Sequence, residues 1–247
     1  YEDRSGVLWV GTYGGGINKF DPHKQKFAHY KHEPSDPNSL SGYSVRAICE
    51  DRSGDLWIGT WLGGLNKLDR RKGKFTRMQH VADNPNGLSH NSVMAICEGR
   101  DGALWIGTLG GGLNKLIPGH EEAPPTFRHY RHDPSDPTSL ASDIVRAVYE
   151  DRSGTMWVGT DGAGLEKFDR DAESFSHYRY MRNNPRSLSS NRVQTIYQDR
   201  TGTIWIGTFD RGLNRLDRES GTFTWYRNEP GNAKSLRNNH VQAILED

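Results

Sequence analysis

Pairs of adjacent acidic residues recur along this sequence and are the side chains best suited to acid–base chemistry. Glutamate followed by aspartate stands at 2–3, 50–51, 150–151 and 246–247, with Glu98-Gly99 and Gln198-Asp199 as variants. Glycoside hydrolysis uses one pair of carboxylates placed around one bond. A catalytic pair would therefore occur once in the chain, whereas these pairs recur at regular intervals. We interpret them as turn and hydrogen-bonding elements, and we expect no catalytic residues and no enzyme activity.

The histidines also repeat, which argues against a metal centre. Of the ten histidines, one group shares one repeat position and a second group shares another: His29, His129 and His177, and His32, His80 and His132. Metal ligands lie about 2 Å from a common ion, and equivalent positions of successive repeats are much farther apart. The glycine runs 14–16 and 110–112 favour hairpins, which offer no helix N-terminus to a phosphate. We expect no metal and no cofactor.

Both cysteines occupy one repeat position. Cys49 and Cys97 are 48 residues apart, and Tyr149, Tyr197 and Leu245 fill the same position elsewhere. Large or apolar residues at this position indicate that it packs in the interior. A disulfide needs Cα atoms within about 7 Å, and equivalent residues of neighbouring repeats usually lie farther apart. We expect two free, buried thiols.

These patterns belong to a repeat that runs through the whole chain. Tryptophan, an aliphatic residue, glycine and threonine follow one another from positions 9, 57, 105, 157 and 205, so the spacings are 48, 48, 52 and 48 residues. Serine or glycine followed by leucine keeps the same register at 39–40, 87–88, 139–140, 187–188 and 235–236. The four additional residues of the third spacing lie near 119–125. Five copies with two landmarks in register predict a repeat protein.

Each copy is interpreted as four short strands, A to D. In the second copy, strand A is 45–50, B is 56–60, C is 64–69 and D is 74–78. Four strands and a period of about 40–50 residues are typical of a β-propeller blade. The sequence predicts an all-β propeller of five four-stranded antiparallel blades. It forms one domain over 1–247, with repeats of approximately 1–50, 51–98, 99–150, 151–198 and 199–247.

The five repeated tryptophans are the expected structural core, because large aromatic side chains fill the wedge between blades. They are Trp9, Trp57, Trp105, Trp157 and Trp205. Residues 1–3 read as the tail of a strand A, and residues 240–246 as a strand A that no strand B follows. We expect residues 240–246 to pair with residues 7–12 and close the ring, which removes open sheet edges. An open arc or a fragment of a seven-bladed propeller is the alternative.

Residues 45–69 resemble the two-component regulator propeller repeat. They read Val-Arg-Ala-Ile-Cys-Glu-Asp-Arg-Ser-Gly-Asp-Leu-Trp-Ile-Gly-Thr-Trp-Leu-Gly-Gly-Leu-Asn-Lys-Leu-Asp, and the other four copies share the core of this pattern. The resemblance implies the extracytoplasmic sensor region of bacterial membrane-bound hybrid histidine kinases and diguanylate cyclases, and hence a periplasmic location in a membrane-anchored receptor. Members of the family commonly have seven-bladed propellers, often two in tandem, whereas this chain has five repeats.

The positions that break the repeat are the better guide to function. The first position of the B–C turn holds Tyr13, Trp61, Leu109, Asp161 and Phe209, and Asp210 and Arg211 replace glycines of other copies. Aromatic rings stack on apolar faces of a ligand while charges orient its polar groups. We predict a ligand-binding site at Tyr13, Trp61, Asp161, Phe209, Asp210 and Arg211; packing of the rings against the D–A loop is the alternative.

In a closed ring of five blades, Tyr13, Trp61 and Phe209 would lie on one continuous arc. Residues that alternate with the apolar positions of strand A are expected to line the central channel. These are Arg46, Met94, Arg146, Gln194 and Gln242.

The amino-acid composition argues against two classes of partner, nucleic acids and the membrane interior. Lysine and arginine number 32 against 31 aspartates and glutamates, and this net charge of +1 argues against a nucleic-acid partner. No apolar run approaches the ~20 residues of a membrane-spanning helix, so we expect no direct membrane insertion of this segment. We predict a non-catalytic sensory module of a membrane-bound receptor. It would bind a carbohydrate or other small ligand and pass the signal to a kinase or cyclase. The alternative is a protein–protein interaction or dimerisation scaffold with possible self-association, and a carbohydrate-active enzyme is a third, weaker hypothesis.

Overall fold

The computed structural model describes residues 1–22, 24–119 and 124–246, which form strands, turns and loops. The chain divides into two compact units, Tyr1–His129 and Tyr130–Asp247. Within each unit the strands form antiparallel sheets in chain order, and each sheet is called a blade below. The expected all-β architecture is confirmed, whereas the single domain over 1–247 stays a prediction.

The first unit contains three blades. Blade 1 comprises β1 (Leu8–Thr12), β2 (Gly16–Asp21) and β3 (Lys26–Tyr30). Blade 2 comprises β4 (Val45–Glu50), β5 (Leu56–Thr60), β6 (Gly64–Asp69) and β7 (Lys74–Met78). Blade 3 comprises β8 (Val93–Glu98), β9 (Leu104–Thr108), β10 (Leu113–Ile117) and β11 (Thr126–Tyr130), the last of which ends at the boundary between the units.

The second unit contains two blades. Blade 4 comprises β12 (Val145–Glu150), β13 (Met156–Thr160), β14 (Leu165–Asp169) and β15 (Ser174–Tyr178). Blade 5 comprises β16 (Val193–Gln198), β17 (Ile204–Thr208), β18 (Leu213–Asp217) and β19 (Thr222–Tyr226). In the part of the chain that the structure describes, no helix is long and apolar enough to cross a membrane.

Blade 1 differs from the others because its sheet has three strands. The tail of a strand A is nevertheless present. Glu2 pairs with Leu8 as an isolated bridge, and the amide of Trp9 donates to the carbonyl oxygen of Tyr1 at 2.8 Å. Residues 240–246 belong to no strand. The expected pairing of 240–246 with 7–12, and with it the choice between a ring and an arc, stays a prediction.

An aspartate at the A–B turn fixes the tryptophan of strand B. Asp51 Oδ1 accepts hydrogen bonds from the amides of Ser53 and Asp55 at 2.9 and 3.0 Å, and its Oδ2 accepts one from Trp57 Nε1 at 2.8 Å. The same indole bond recurs at 2.7–2.8 Å in three further blades: Asp3 with Trp9, Asp151 with Trp157, and Asp199 with Trp205. The interpretation of the Glu-Asp pairs as turn elements is thereby confirmed.

The glutamate before that aspartate ties neighbouring blades together. Glu50 Oε2 accepts from the amide of Arg4, one blade earlier, at 2.9 Å. The side chain of Arg4 donates in return to the carbonyl oxygen of Asp51 at 3.1 Å. The amide bond is repeated from Arg52 to Glu98, from Arg152 to Gln198 and from Arg200 to Glu246. The glutamate or glutamine at the end of each strand A is therefore bonded to the A–B turn of the preceding blade.

The tryptophans pack between blades of one unit. Trp9 joins Leu56, Ile58 and Phe75 of blade 2, and Trp157 joins Ile204 and Phe223 of blade 5. Trp9, Trp57, Trp105 and Trp157 are buried, and Trp205 is half-buried. The glycine that follows each tryptophan by two residues permits close packing, since a Cβ on Gly59 would lie 2.6 Å from Val93 Cγ1 of the next blade.

Replacing Trp57 with alanine is expected to lower the free energy of unfolding by roughly 3–5 kcal/mol, because a buried aromatic side chain is lost and a cavity remains. Denaturant unfolding followed by tryptophan fluorescence and circular dichroism measures this difference. Tyr13→Ala is the matched control, since Tyr13 is 85% exposed and its loss should change stability by less than about 0.5 kcal/mol. Equal unfolding midpoints for Trp57→Ala and the native chain would contradict the packing role.

Stability should fall when the turn aspartates are protonated. Burial raises the pKa of Asp3, but hydrogen bonds from Ser5, Trp9 and backbone amides outweigh it and lower the pKa from 3.8 to about 2. Hydrogen bonds from Thr201 and Trp205 lower the pKa of Asp199 likewise to about 2. A carboxyl group with a depressed folded pKa stabilises fully above its unfolded pKa, and the contribution is lost as pH falls through the folded value.

The unfolding midpoint in denaturant is therefore expected to drop between about pH 4 and pH 2. Asp199→Asn should be less stable than the native chain at neutral pH and should lose less stability over that interval. An identical pH profile for both proteins would show that the Asp199 carboxylate is not stabilised by folding.

Candidate functional site

In blades 2 to 5 strand A has a β-bulge near its start. The pairing register shifts between Val45 and Ala47, Val93 and Ala95, Val145 and Ala147, and Val193 and Thr195. The extra residue of a bulge is unpaired and its side chain is redirected. These extra residues are Arg46, Met94, Arg146 and Gln194, four of the five residues predicted to line a channel. Gln242 is exposed in the segment that forms no strand, and the channel itself stays a prediction.

The B–C turn lies beside the last residue of the D–A loop in the same blade. The amide of Trp61 donates to the carbonyl oxygen of Ser44 at 2.8 Å. The amide of Asp161 donates to Ile144 and that of Phe209 to Arg192, both at 2.9 Å. This contact brings three variable positions together: the turn residue, the residue before strand A and the bulge residue.

In the first unit these positions form the aromatic–arginine cluster, defined as Tyr13, Arg46 and Trp61. The guanidinium carbon of Arg46 lies 5.4 Å from the ring centroid of Tyr13 and 5.0 Å from that of Trp61. A cation at this distance from an aromatic face is attracted to it. Tyr13 is 85% exposed and Trp61 is half-buried. The Tyr13 ring is therefore free to stack on a ligand, while Arg46 holds a positive charge beside it.

In the second unit the same variable positions form the aspartate–arginine cluster, which is defined as Arg146, Asp161, Arg192 and Phe209. Asp161 Oδ2 accepts from Arg146 Nε at 2.8 Å, and its Oδ1 accepts from Arg192 Nε at 3.0 Å. The Arg192 guanidinium carbon lies 3.9 Å from the Phe209 ring centroid. Burial raises the pKa of Asp161, but hydrogen bonds from Arg192 and Arg146 outweigh it, so the pKa is lowered.

One carboxylate thus holds two guanidinium groups through their Nε atoms. Among the described residues, the Nη groups of Arg146 and Arg192 have no hydrogen-bonding partner. The side chains are 23% and 41% exposed. The cluster can consequently offer planar N–H donors to an anionic or hydroxyl-rich ligand.

The remaining predicted residues, Asp210 and Arg211, contact the D–A loop as well as their own turn. Ser190 Oγ donates to Asp210 at 2.6 Å, and the Arg211 amide donates to Thr208 Oγ1 at 3.0 Å. The Arg211 guanidinium lies 5.8 Å from the Tyr180 ring, and Phe209 packs 4.4 Å from His240. Phe209 is 37% exposed. Here the turn packs in part against the D–A loop, as the alternative interpretation expected.

The structure therefore brings Tyr13 together with Trp61, and Asp161 together with Phe209. The arc that would join Tyr13, Trp61 and Phe209 stays a prediction. Arg192 was not among the predicted residues. Its position holds Ser44, Ser92, Ile144, Arg192 and His240 in the five copies, so the same search for breaks in the repeat, applied to the D–A loop, would have found it.

Several repeated polar residues have structural partners. The Nδ1 atoms of His32, His80 and His132 each lie 2.6–2.9 Å from the carbonyl oxygen of the leucine eight residues later. Among the described residues, no three His, Cys, Asp or Glu side chains are grouped to hold a metal ion. Cys49 and Cys97 form no disulfide, as expected, but the expectation that both thiols are buried is wrong, because both residues are half-buried. Burial raises the pKa of the Cys49 thiol to about 12. Cys49 is therefore unsuited to nucleophilic chemistry.

Comparison with known proteins finds similarity over four segments of the chain. Residues 39–62, 87–110, 139–162 and 187–210 match the family described as "Two component regulator propeller". The extracellular domain of BT3049 from B. thetaiotaomicron, described as a hybrid two component system, is 29% identical with a TM-score of 0.77. The alignment covers 98% of this chain and 29% of that one. No curated protein is significantly similar to this chain.

More distant structures share the fold alone. PorZ, a surface component of the type-IX secretion system of Porphyromonas gingivalis, is 18% identical with a TM-score of 0.70 over 96% of this chain and 34% of its own. Virginiamycin B lyase from Staphylococcus aureus is 15% identical with a TM-score of 0.63 over 92% of this chain and 68% of its own. The chain thus spans about a third or less of the length of BT3049 and PorZ, and the propeller fold is confirmed.

Removing one arginine of the aspartate–arginine cluster should raise the pKa of Asp161. The two guanidinium groups stabilise the ionised carboxyl, so Arg192→Gln is expected to move the pKa upward toward its ordinary value of 3.8. A carboxyl-detected NMR titration of labelled aspartate measures the shift. Arg182→Gln is the control, because Arg182 is an exposed arginine of the same unit with no ion pair to Asp161. An Asp161 pKa that both variants leave unchanged would contradict the cluster.

Proposed function

We propose that this chain, four segments of which are two component regulator propeller repeats, is a ligand-binding sensor module of a bacterial membrane-anchored receptor. The extracellular location of the similar BT3049 domain supports a role outside the cytoplasm. A periplasmic position, a carbohydrate or other small ligand, and transfer of the signal to a kinase or cyclase are parts of this proposal.

The aromatic–arginine cluster is the observation that carries the proposal. Tyr13 is almost fully exposed although it is a large aromatic residue, and it stands with Trp61 around one arginine. Pyranose rings present apolar C–H faces that stack on such side chains, and their hydroxyl groups accept hydrogen bonds from a guanidinium group. Neutral oligosaccharides and sugar acids both fit this chemistry, because the cation can orient either.

A binding role is favoured over catalysis by where the carboxylates lie. The turn aspartates are occupied by their own backbone amides and by indole N–H groups. Asp161 is held ionised by two arginines, which suits charge recognition better than donation of a proton. We therefore propose a non-catalytic module, even though the related fold of virginiamycin B lyase belongs to an enzyme.

The test is a glycan array followed by calorimetry with the highest-ranking glycan. Trp61→Ala/Phe209→Ala should weaken binding by at least about tenfold while leaving the fold intact, since both rings are partly accessible and aromatic anchors contribute much of a binding energy. Leu109→Ala is the matched control, because Leu109 holds the same turn position in blade 3 but lies outside both clusters. It should bind as the native chain does.

Three outcomes would count against this proposal. Normal glycan binding by the double variant would show that neither cluster holds the ligand. If no glycan binds and the native chain self-associates in analytical ultracentrifugation, with the double variant remaining monomeric, the interaction scaffold is the better function. A loss of thermal stability in the double variant would identify Trp61 and Phe209 as packing residues instead.

A further inference from the structure

An arginine at the start of the C–D turn fills a subsite between blades 1 and 2. Arg70 Nη2 lies 2.8 Å from Asp3 Oδ2, and its Nη1 lies 3.1 Å from Glu50 Oε1. The guanidinium carbon is 5.6 Å from the Trp9 ring centroid. The two carboxylate side chains are 0% and 5% exposed. One blade supplies the aspartate and the tryptophan, and the next supplies the glutamate and the arginine.

The second unit repeats the aspartate half of this arrangement between blades 4 and 5, where Gln198 stands at the position of Glu50. Arg218 occupies the position of Arg70 in its blade, and its Nη2 donates to Asp151 Oδ2 and to Ser153 Oγ. The subsite between blades is therefore a recurrent guanidinium receptor, and in these two places the chain fills it with its own side chain.

Between blades 2 and 3 the receptor is present but its arginine is missing. Pro118 stands at the position of Arg70 and Arg218. The acceptors remain in the form of Asp51 of blade 2 and Glu98 of blade 3, with the Trp57 ring beside them. These residues line a cavity of about 370 Å³ together with Lys67, Leu116 and Pro118. The cavity lies where Arg70 and Arg218 lie in the other two subsites.

The carboxylates of Asp51 and Glu98 accept fewer hydrogen bonds than their counterparts between blades 1 and 2. Asp3 Oδ2 accepts from both Trp9 Nε1 and Arg70, whereas among the described residues Asp51 Oδ2 accepts from Trp57 Nε1 alone. Glu98 Oε1 accepts the Arg52 amide at 3.1 Å, and its Oε2 lies 3.9 Å from Arg52 Nε. Each carboxylate can therefore still accept a charge-assisted hydrogen bond.

The charges around the cavity also favour a cation. Lys67 is paired with Asp55 at 3.0 Å and lies 5.3 Å from the Trp57 ring centroid. Asp55 has no acidic counterpart in the other subsites, where Val7 and Thr155 hold its position. Among the described residues that line the cavity, Asp51 and Glu98 are acidic and Lys67 alone is basic. A bound guanidinium group would neutralise the remaining negative charge.

We propose that the cavity between blades 2 and 3 binds a guanidinium group supplied from outside this chain. The group would lie as Arg70 does, with one edge on Asp51 and Glu98 and its plane beside Trp57. Either a small arginine derivative or an arginine side chain of a peptide carries this chemistry. A primary ammonium group should bind more weakly, because it lacks the planar fork that reaches two carboxylates at once. The site is independent of the ligand proposed for the B–C turns, which lie at the other end of each sheet.

The experiment measures calorimetric binding of methylguanidinium, the peptide Gly-Arg-Gly and the peptide Gly-Lys-Gly to the full chain at millimolar concentration. At least one guanidinium probe should bind, and Gly-Lys-Gly should bind at least about tenfold more weakly. Comparable affinities for methylguanidinium and Gly-Arg-Gly indicate a small ligand, whereas binding of the peptide alone indicates an arginine of a protein segment.

Variants locate the binding to the cavity. Pro118→Arg restores the arginine of the other subsites, so it should abolish probe binding and raise the melting temperature. Pro118→Ala is its matched control and should bind as the native chain does. Glu98→Gln should weaken binding by at least about tenfold, while Glu33→Gln, an exposed glutamate of the same unit, should have no effect.

Three results would overturn the proposal: no binding of either guanidinium probe, equal binding of Gly-Lys-Gly, or undiminished binding by Glu98→Gln. If Pro118→Arg fails to fold, the comparison of Glu98→Gln with Glu33→Gln still decides the matter. Glycan binding at the B–C turns does not involve these residues, so either proposal can fail while the other stands.

Discussion

An indole N–H buried between two blades needs an acceptor, and the rest of the structure depends on how that need is met. Leaving such a donor unsatisfied costs about 1–3 kcal/mol. Asp51 and its counterparts supply the acceptor from the A–B turn, which the same carboxylate closes through two backbone amides. In blades 1, 2, 4 and 5 one carboxylate therefore joins the turn to the core, whereas blade 3 buries Trp105 with Gly99 at the aspartate position.

The next constraint is the close approach of successive blades. Gly59 faces Val93 of the next blade with no room for a Cβ, and the Glu98 carboxylate receives the Arg52 amide across the same boundary. The boundary between blades 2 and 3 thus combines apolar packing near one end of the sheets with charged hydrogen bonds near the other. Because these contacts join neighbouring blades, stability accumulates from blade to blade within a unit, as in other repeat proteins. Substitutions at one boundary are then tolerated if the boundaries on either side are intact.

The strands could be predicted from the sequence because the repeat supplies its own alignment. Strands A to D of the second copy were expected at 45–50, 56–60, 64–69 and 74–78, and β4 to β7 have those bounds. The glycine that begins β6 marks a turn, since its φ of 87° is unfavourable for other residues. The bulge at Arg46 could not be predicted, because strand A shows ordinary alternation and an unpaired residue carries no signal of its own.

Side-chain partners were harder to predict than strands. Glu166 stands where other copies have asparagine, and it is buried with its carboxylate against His177. Burial raises the pKa of Glu166 despite the hydrogen bond from that histidine. The histidine had been grouped with its repeat equivalents, but its partner is unique to blade 4. A contact between two variable positions cannot be predicted by comparing the five copies at one position at a time.

The residues that depart from the repeat have different effects at the two ends of the blades, one of which carries the B–C turns and the other the A–B and C–D turns. At the B–C turns they add side chains, as Tyr13, Trp61 and Asp161 do. At the A–B and C–D turns the third copy removes them, with Gly99 for aspartate and Pro118 for arginine. The boundary between blades 2 and 3 can lose its arginine, because the Asp51–Trp57 bond still fixes the core. What remains is a receptor already shaped for a guanidinium group, since folding has fixed both carboxylates for other reasons, and no further ordering of the protein is needed when a ligand arrives.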